Sequence, residues 1–292
     1  MRRPAMHWLL LIGLVAMWGS SFMLTKVAVS SLAPATVVAG RLAIAAVLLC
    51  VWMIAARRRL PPFGPLWGYF VAMSLLGNVL PFLLIGWGQQ NIDSGLAGIL
   101  MAVMPLTTLV LAHFFVDGER LTQMRAGGFV LGFAGIVILV GPQALTRLGG
   151  NVDALLGQIA VLGGAICYAV NTIVVRRRPP CDVRVTAAVV LAMSGLLTAP
   201  LGAAHLPIPD LPDQAVWAVM LLGVICTAAA TVVYFQLVAV AGPTFLSLIN
   251  YLIPLWAVAM GMIFLAERPD WNALVALLLI LAGIALSQRK QT

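Results

Sequence analysis

Apolar stretches of about twenty residues, separated by short polar connections, follow one another along the whole chain. Their limits are 7–28, 34–56, 66–88, 94–116, 124–141, 154–175, 184–203, 214–237, 243–265 and 271–288. About twenty helical residues cross the hydrocarbon core of a bilayer, so the pattern predicts an all-α integral membrane protein with ten transmembrane helices. The connections are too short to hold a soluble domain.

One of these stretches is written twice. From Ser94 the chain reads SGLAGILMAVMPLTTLVLAHFFVDGER, and from Gly242 it reads GPTFLSLINYLIPLWAVAMGMIFLAERP. In both, a small or hydroxyl residue (Gly95, Thr244) stands ten positions before a mid-run proline (Pro105, Pro254), and a Glu-Arg pair (Glu119-Arg120, Glu267-Arg268) ends the run. Proline removes a backbone donor and kinks the helix. In lipid such a break is tolerated only against protein or a water-filled cavity. Matched broken helices in two halves point to a transporter's central site. Each kink is either a fixed shape or a hinge, and the expectation here is a hinge at Pro105 and Pro254.

The duplication extends further. An offset near 150 aligns Trp18 with Tyr168, Ser21 with Asn171 and Lys26 with Arg176. Trp87 and Gln89 match Tyr234 and Gln236, and Ala134-Gly135-Ile136 recurs as Ala282-Gly283-Ile284. The chain therefore divides into five-helix repeats at 1–146 and 147–292. Five is odd, so the second repeat lies upside down relative to the first. Inverted repeats predict alternating access by rocking about a midplane site.

Composition agrees with this reading: 62% of residues are hydrophobic, 9% are charged and the mean hydropathy is +1.07. The net charge of +8 does not point to nucleic acid, because the basic residues fall in short clusters between apolar runs. With a cytoplasmic N-terminus, 13 Lys and Arg flank the inner ends of the runs, while Lys26, Arg147 and Arg268 lie outside and Arg41 lies within the second run. That bias places both termini in the cytoplasm. The run starting at His7 lacks a small-residue cleavage site and reads as a retained span. The four cysteines form no CxxC pair, and neither a metal nor a cofactor is expected.

WGSSFMLTK at Trp18 to Lys26, AGRLAIAAVLL at Ala39 to Leu49 and the two proline helices with their Glu-Arg ends resemble the EamA-type repeats of the drug/metabolite transporter superfamily. Within it, the chain is most similar to the YddG-type bacterial exporters of aromatic and other neutral amino acids. The resemblance implies ten helices around a central cavity, export across the bacterial inner membrane and no ATPase domain. One departure is Arg41, which has no counterpart within the seventh run.

Helical spacing sets Trp18, Ser21 and Thr25 on one stripe of the first run, and Tyr168 and Asn171 on the equivalent stripe of the sixth. Aromatics with a few placed polar groups suit a cavity lining, against the plainer reading of helix packing. Asn78 and Gln89 flank Pro81; Thr227, Thr231 and Tyr234 share a face; Ser247, Asn250 and Tyr251 precede Pro254, with Met101 opposite Asn250 in the repeat. The substrate-lining set is then Trp18, Ser21, Asn78, Met101, Tyr168, Asn171, Thr231, Tyr234, Asn250 and Tyr251. Ionisable residues inside spans default to function. Lys26 and Arg41 lie near outer span ends, where long side chains can reach the interface, and serve either as anchors or as a gate or carboxylate contact. His113 reads as a packing or interface histidine. Gly128 and Gly132 have the spacing of a helix contact, within one chain or in a dimer, so a monomer is expected and a dimer stays open.

All nine acids fall at span ends or in connections. A proton- or cation-driven pump usually holds a carboxylate near the midplane. The sequence instead suggests facilitated diffusion of neutral metabolites, above all aromatic and apolar amino acids. A multidrug exporter with the same aromatic cavity is the alternative. An intramembrane enzyme is the reading from another class, and it is disfavoured because no HExxH motif or pair of midspan aspartates occurs. No catalytic residue is assigned.

Overall fold

In a solvent without hydrogen-bond partners each backbone N–H must find its carbonyl within the segment, and the apolar runs accordingly fold as helices. The computed structural model describes residues 5–116, 122–146, 152–205 and 211–287. Glu119, Arg120 and Arg147 lie outside them, as do the basic residues of the two termini.

Helix α1 is Ala5–Val29, α2 is Pro34–Ala55 and α3 is Pro65–Gly88. Helix α4 comes in two pieces, Ser94–Met101 and Met104–Phe115, and α5 is Gln123–Thr146. The second half continues with α6, Val152–Arg177, α7, Val183–Ala203, and α8, Asp213–Ala241. Helix α9 is again split, into Pro243–Leu246 and Ile249–Phe264, and α10 is Trp271–Ser287. The described residues contain no strand. Seven of these helices are long and apolar enough to cross a bilayer; the apolar segments Gln123–Leu139, Ile249–Phe264 and Trp271–Ser287 are shorter. The protein is a multi-pass membrane protein.

Packing pairs each helix of one half with its equivalent in the other along α2–α7, α4–α9 and α5–α10. The remaining large contacts come in exchanged pairs: α3–α6 with α8–α1, α4–α6 with α9–α1, and α2–α8 with α7–α3. The α5–α10 seam repeats down to single residues. A Cβ on Gly128 would lie 2.5 Å from Gly283 O, and one on Gly135 would lie 2.9 Å from Ala276 O. An offset of 148 between halves converts the first contact into the second. Gly128 thus serves packing within the chain, where small residues let backbones approach when lipid supplies no hydrophobic drive between helices.

One contact is not matched across the halves. The first piece of α4 packs on the far part of α9, with Gly95 against Val258 and a Cβ on Gly98 only 2.5 Å from Ala257 Cβ. Among the described residues the reciprocal pair, the start of α9 with the end of α4, makes no comparable contact. The two central helices therefore close at the Gly95 end alone.

The seam gives a direct test. Gly128→Val forces a side chain into a backbone carbonyl and should cost about 1–3 kcal/mol, lowering the thermal unfolding midpoint in detergent. Gly13→Val, at a position with nothing within 4 Å, should leave it nearly unchanged. Equal midpoints for the two variants would contradict the packing described.

Candidate functional site

Four helices lose regularity inside the bundle, in two equivalent pairs. In α4 the chain tightens at residues 102–103, where Ala102 and Val103 donate to Ile99 O and Leu100 O. In α9 it does so at residues 247–248, followed by Asn250 to Ser247 O and Tyr251 to Leu248 O. Pro105 consequently sits in the first turn of a helical piece, where a missing N–H is harmless. Pro254 lies within Ile249–Phe264, six residues past the break. Helices α3 and α8 instead widen by one residue per turn at Leu75–Val79 and Val224–Ala229, with Leu80 N–H reaching back to Leu75 O and Ala230 N–H to Ile225 O. Such π-turns recur at functional sites. The sequence signalled the prolines; nothing in it signalled the π-turns.

These irregular segments carry or face most of the expected lining. Each of Trp18, Ser21, Asn78, Met101, Tyr168, Asn171, Thr231, Tyr234, Asn250 and Tyr251 is half-buried. The Trp18 and Tyr234 rings are 5.6 Å apart, and Trp256 packs on the same core cluster while its Nε1 donates to Ser20 Oγ at 2.9 Å. Tyr168, Tyr251 and Met101 pack on a second cluster together with Phe22. Asn171 fills the space that Gly77 leaves in the π-turn of α3: a Cβ there would lie 2.8 Å from its Nδ2. Its Oδ1 is buried without a partner among the described residues. Asn78 and Asn250 make no side-chain hydrogen bond to described residues, whereas Thr231 is spent on Thr227 O. Ser21 offers its carbonyl to the Thr25 hydroxyl.

Arg41 is buried against other helices. It is 6% exposed, with Nε donating to Thr227 Oγ1 at 2.7 Å and the guanidinium 3.8 Å above the Phe82 ring. Its titratable neighbours are Cys226 and Tyr168. No carboxylate among the described residues pairs with it. A cation at the centre of a membrane helix costs roughly 3 kcal/mol, and a hydroxyl and a ring face offset part of that. Thr227 can serve because the π-turn redirects its own hydroxyl hydrogen to Leu222 O, leaving the lone pairs for Arg41. Thr227, Phe82, Trp256 and Phe22 were absent from the expected set. Only Thr227, at helical spacing from Thr231, carried a sequence signal.

The closed end is held by polar groups. Lys26 Nζ donates to Gln89 O at 2.8 Å and Ile92 O at 3.0 Å, a cation set on the end of α3. Gln89 is fully buried and its Nε2 donates to Phe22 O. Both residues act as fasteners. The Glu267 carboxylate accepts the N–H groups of Ser94 and Gly95 at 2.7 and 2.9 Å, and so caps a helix in the other half, not the adjacent turn. A left-handed Ala266, φ 53°, turns the chain so that the N–H of Glu267 reaches Gly261 O. The carboxylate occupies the place a Cβ on Gly261 would take. Beside it lies a cavity of about 70 Å³ bordered by Asp93, Gln158, Arg268 and Asp270, which suits water and is too small for an aromatic solute. Burial first, then the nearby Glu267 and Asp270, push the Asp93 carboxyl above the usual range against the opposing pull of Lys26. Among the described residues no three His, Cys, Asp or Glu side chains could hold a metal ion.

The model of the EamA-like transporter family matches this sequence twice, over residues 6–141 and 155–288. The chain belongs to the EamA-like transporter family. Among its relatives is the uncharacterized transporter YoaV of Bacillus subtilis, 25% identical over 95% of this chain and 94% of that protein. The uncharacterized inner membrane transporter YedA of Escherichia coli is 29% identical over 56% of this chain and 51% of its own. A solved crystal structure superposes with a TM-score of 0.66 at 20% identity, covering 98% of this chain and 97% of the other, and so shares the fold. This EamA-like chain is a membrane transporter by family.

Two outcomes follow for the closed end. Gly261→Ala should displace the Glu267 carboxylate and release the start of α4, so that the amides of Ser94 and Gly95 exchange hydrogen faster than in the wild type; unchanged exchange would rule out the clamp. The raised pKa of Asp93 means that the folded chain holds this proton more tightly than the unfolded one, so the associated stability is present at low pH and lost as pH rises through the shifted value. On acidification from neutrality to about pH 4, the ordinary Asp value, wild-type protein should therefore gain more thermal stability than Asp93→Asn; parallel curves would show that the site does not contribute.

Proposed function

We propose that this protein exports neutral metabolites, aromatic and other apolar amino acids foremost, across a bacterial plasma membrane by alternating access, without coupling to an ion gradient. The observation that carries this reading is the set of half-buried aromatic and amide side chains on α1, α3, α4, α6, α8 and α9, with no described carboxylate between the ends of those helices. Every described acid lies at a helix end or between helices. All ten helices cross the bilayer in this reading, as repeats 1–146 and 147–292 in opposite orientation. The exchanged helix contacts and the twofold family match support that arrangement. With cytoplasmic termini, the Glu267 end faces outward and the structure is the state closed to the outside. Rocking that separates α4 from α9 there, and joins them at the other end, would carry the solute across.

Multidrug export is the second reading, favoured by the aromatic pairs alone. The buried Arg41 weighs against it for lipophilic cations, which the guanidinium repels. Purified protein in vesicles decides between them. Counterflow of labelled phenylalanine, tyrosine, tryptophan, methionine, leucine or threonine is expected, unaffected by an imposed pH gradient. Trp18→Ala, Tyr168→Ala and Asn250→Ala should each reduce it roughly tenfold or more while the protein remains in the membrane. Dye efflux with no amino-acid exchange would select the drug reading, and normal transport by all three variants would place the path elsewhere.

A further inference from the structure

Resting on that export reading, we infer that Arg41 is the anchor for a carboxylate and that the transported class is the amphipathic monocarboxylate, with the amino group of an amino acid contributing little to recognition. The observation is an imbalance of charge inside the bundle. Arg41 is committed through Nε to Thr227 Oγ1 and is held flat by Phe82, which leaves the Nη1 and Nη2 donors without a protein acceptor among the described residues. Its titratable neighbours Cys226 and Tyr168 are both neutral when protonated. A guanidinium presents parallel donors that match a carboxylate's two oxygens. No counterpart exists for an ammonium: the described acids are gathered at helix ends, and Asp93, Glu267 and Asp270 border the small cavity at the closed end, apart from Arg41.

Geometry sets the rest of the ligand. Arg41 sits about two turns into α2 from Pro34. Its electrostatic neighbour Tyr168 borders the same core cluster as Tyr251, Met101 and Phe22, which supply apolar and aromatic surface. A carboxylate on Arg41 would extend its apolar group toward that surface. One guanidinium with one donor already engaged suits a single negative charge. A phosphate ester would call for further cations, and no other described Lys or Arg is buried.

The test is competition against labelled phenylalanine counterflow in vesicles holding wild-type protein. 3-Phenylpropionate should compete within about tenfold of unlabelled phenylalanine, whereas phenethylamine and phenylalaninamide should be weaker by roughly 10- to 100-fold, the range for losing a charged hydrogen bond. Equal competition by the amine or the amide would overturn the anchor while leaving export intact. Arg41→Gln should lose phenylalanine counterflow and also thermal stabilisation by 3-phenylpropionate, and Arg41→Lys should recover part of both. If no solute shows counterflow, thermal stabilisation of the purified protein separates the two claims. Stabilisation of wild type by 3-phenylpropionate and not by its amide would keep the anchor and discard export. No difference between acid and amide would discard the anchor.

Discussion

The bilayer's refusal to hydrogen-bond with the backbone governs this molecule. A continuous helix satisfies itself, and any departure must be received by protein or water. The described departures inside the bundle fall in α3, α4, α8 and α9, two pairs exchanged between the halves. Helices α2, α5 and α10 are regular throughout. Irregular backbone is thus confined to the helices that bring Asn78, Met101, Thr227, Asn250 and Tyr251 inward. The cost of broken regularity and the gain of polar groups within an oily bundle are the same structural event.

Near-equivalence of the halves makes the differences between them informative. Seams such as Gly128 with Gly283 and Gly135 with Ala276 obey the exchange, so the scaffold is symmetric. The α4–α9 crossing does not obey it: Glu267 of the second half holds the Ser94 and Gly95 donors of the first, and at the same end Lys26 ties α1 to the end of α3. In the proposed mechanism, a symmetric frame closed asymmetrically would have a partner state of similar contacts with its two ends interchanged. That is the physical content of alternating access for a duplicated chain.

Much of the fold was legible in the sequence, and less of the site. Hydrophobic runs set most helix limits within a few residues; the second, expected at 34–56, is Pro34–Ala55. Local repeats made the split of α4 and α9 foreseeable, although the break in α9 precedes Pro254 by six residues. The π-turns were invisible because one extra residue per turn leaves no mark on composition. The bond from Arg41 to Thr227 spans 186 positions, and no period encodes it. Arg41 was expected as an anchor or as a gate or carboxylate contact, and the hydroxyl and ring face that receive its side chain had no sequence signal linking them to it. Glu267 marks the end of the repeated run in the sequence, but the left-handed Ala266 that turns it onto a helix of the other half carries no sequence signal.

The central claim is that one site between the halves opens in turn to each side of the membrane. Its most direct test is Asn250→Cys in a chain whose native cysteines are replaced, labelled with a membrane-impermeant maleimide applied to either face of oriented vesicles. The account predicts reaction from both faces, the ratio shifting when transported solute is present. Reaction from one face only, with solute or without it, would contradict it.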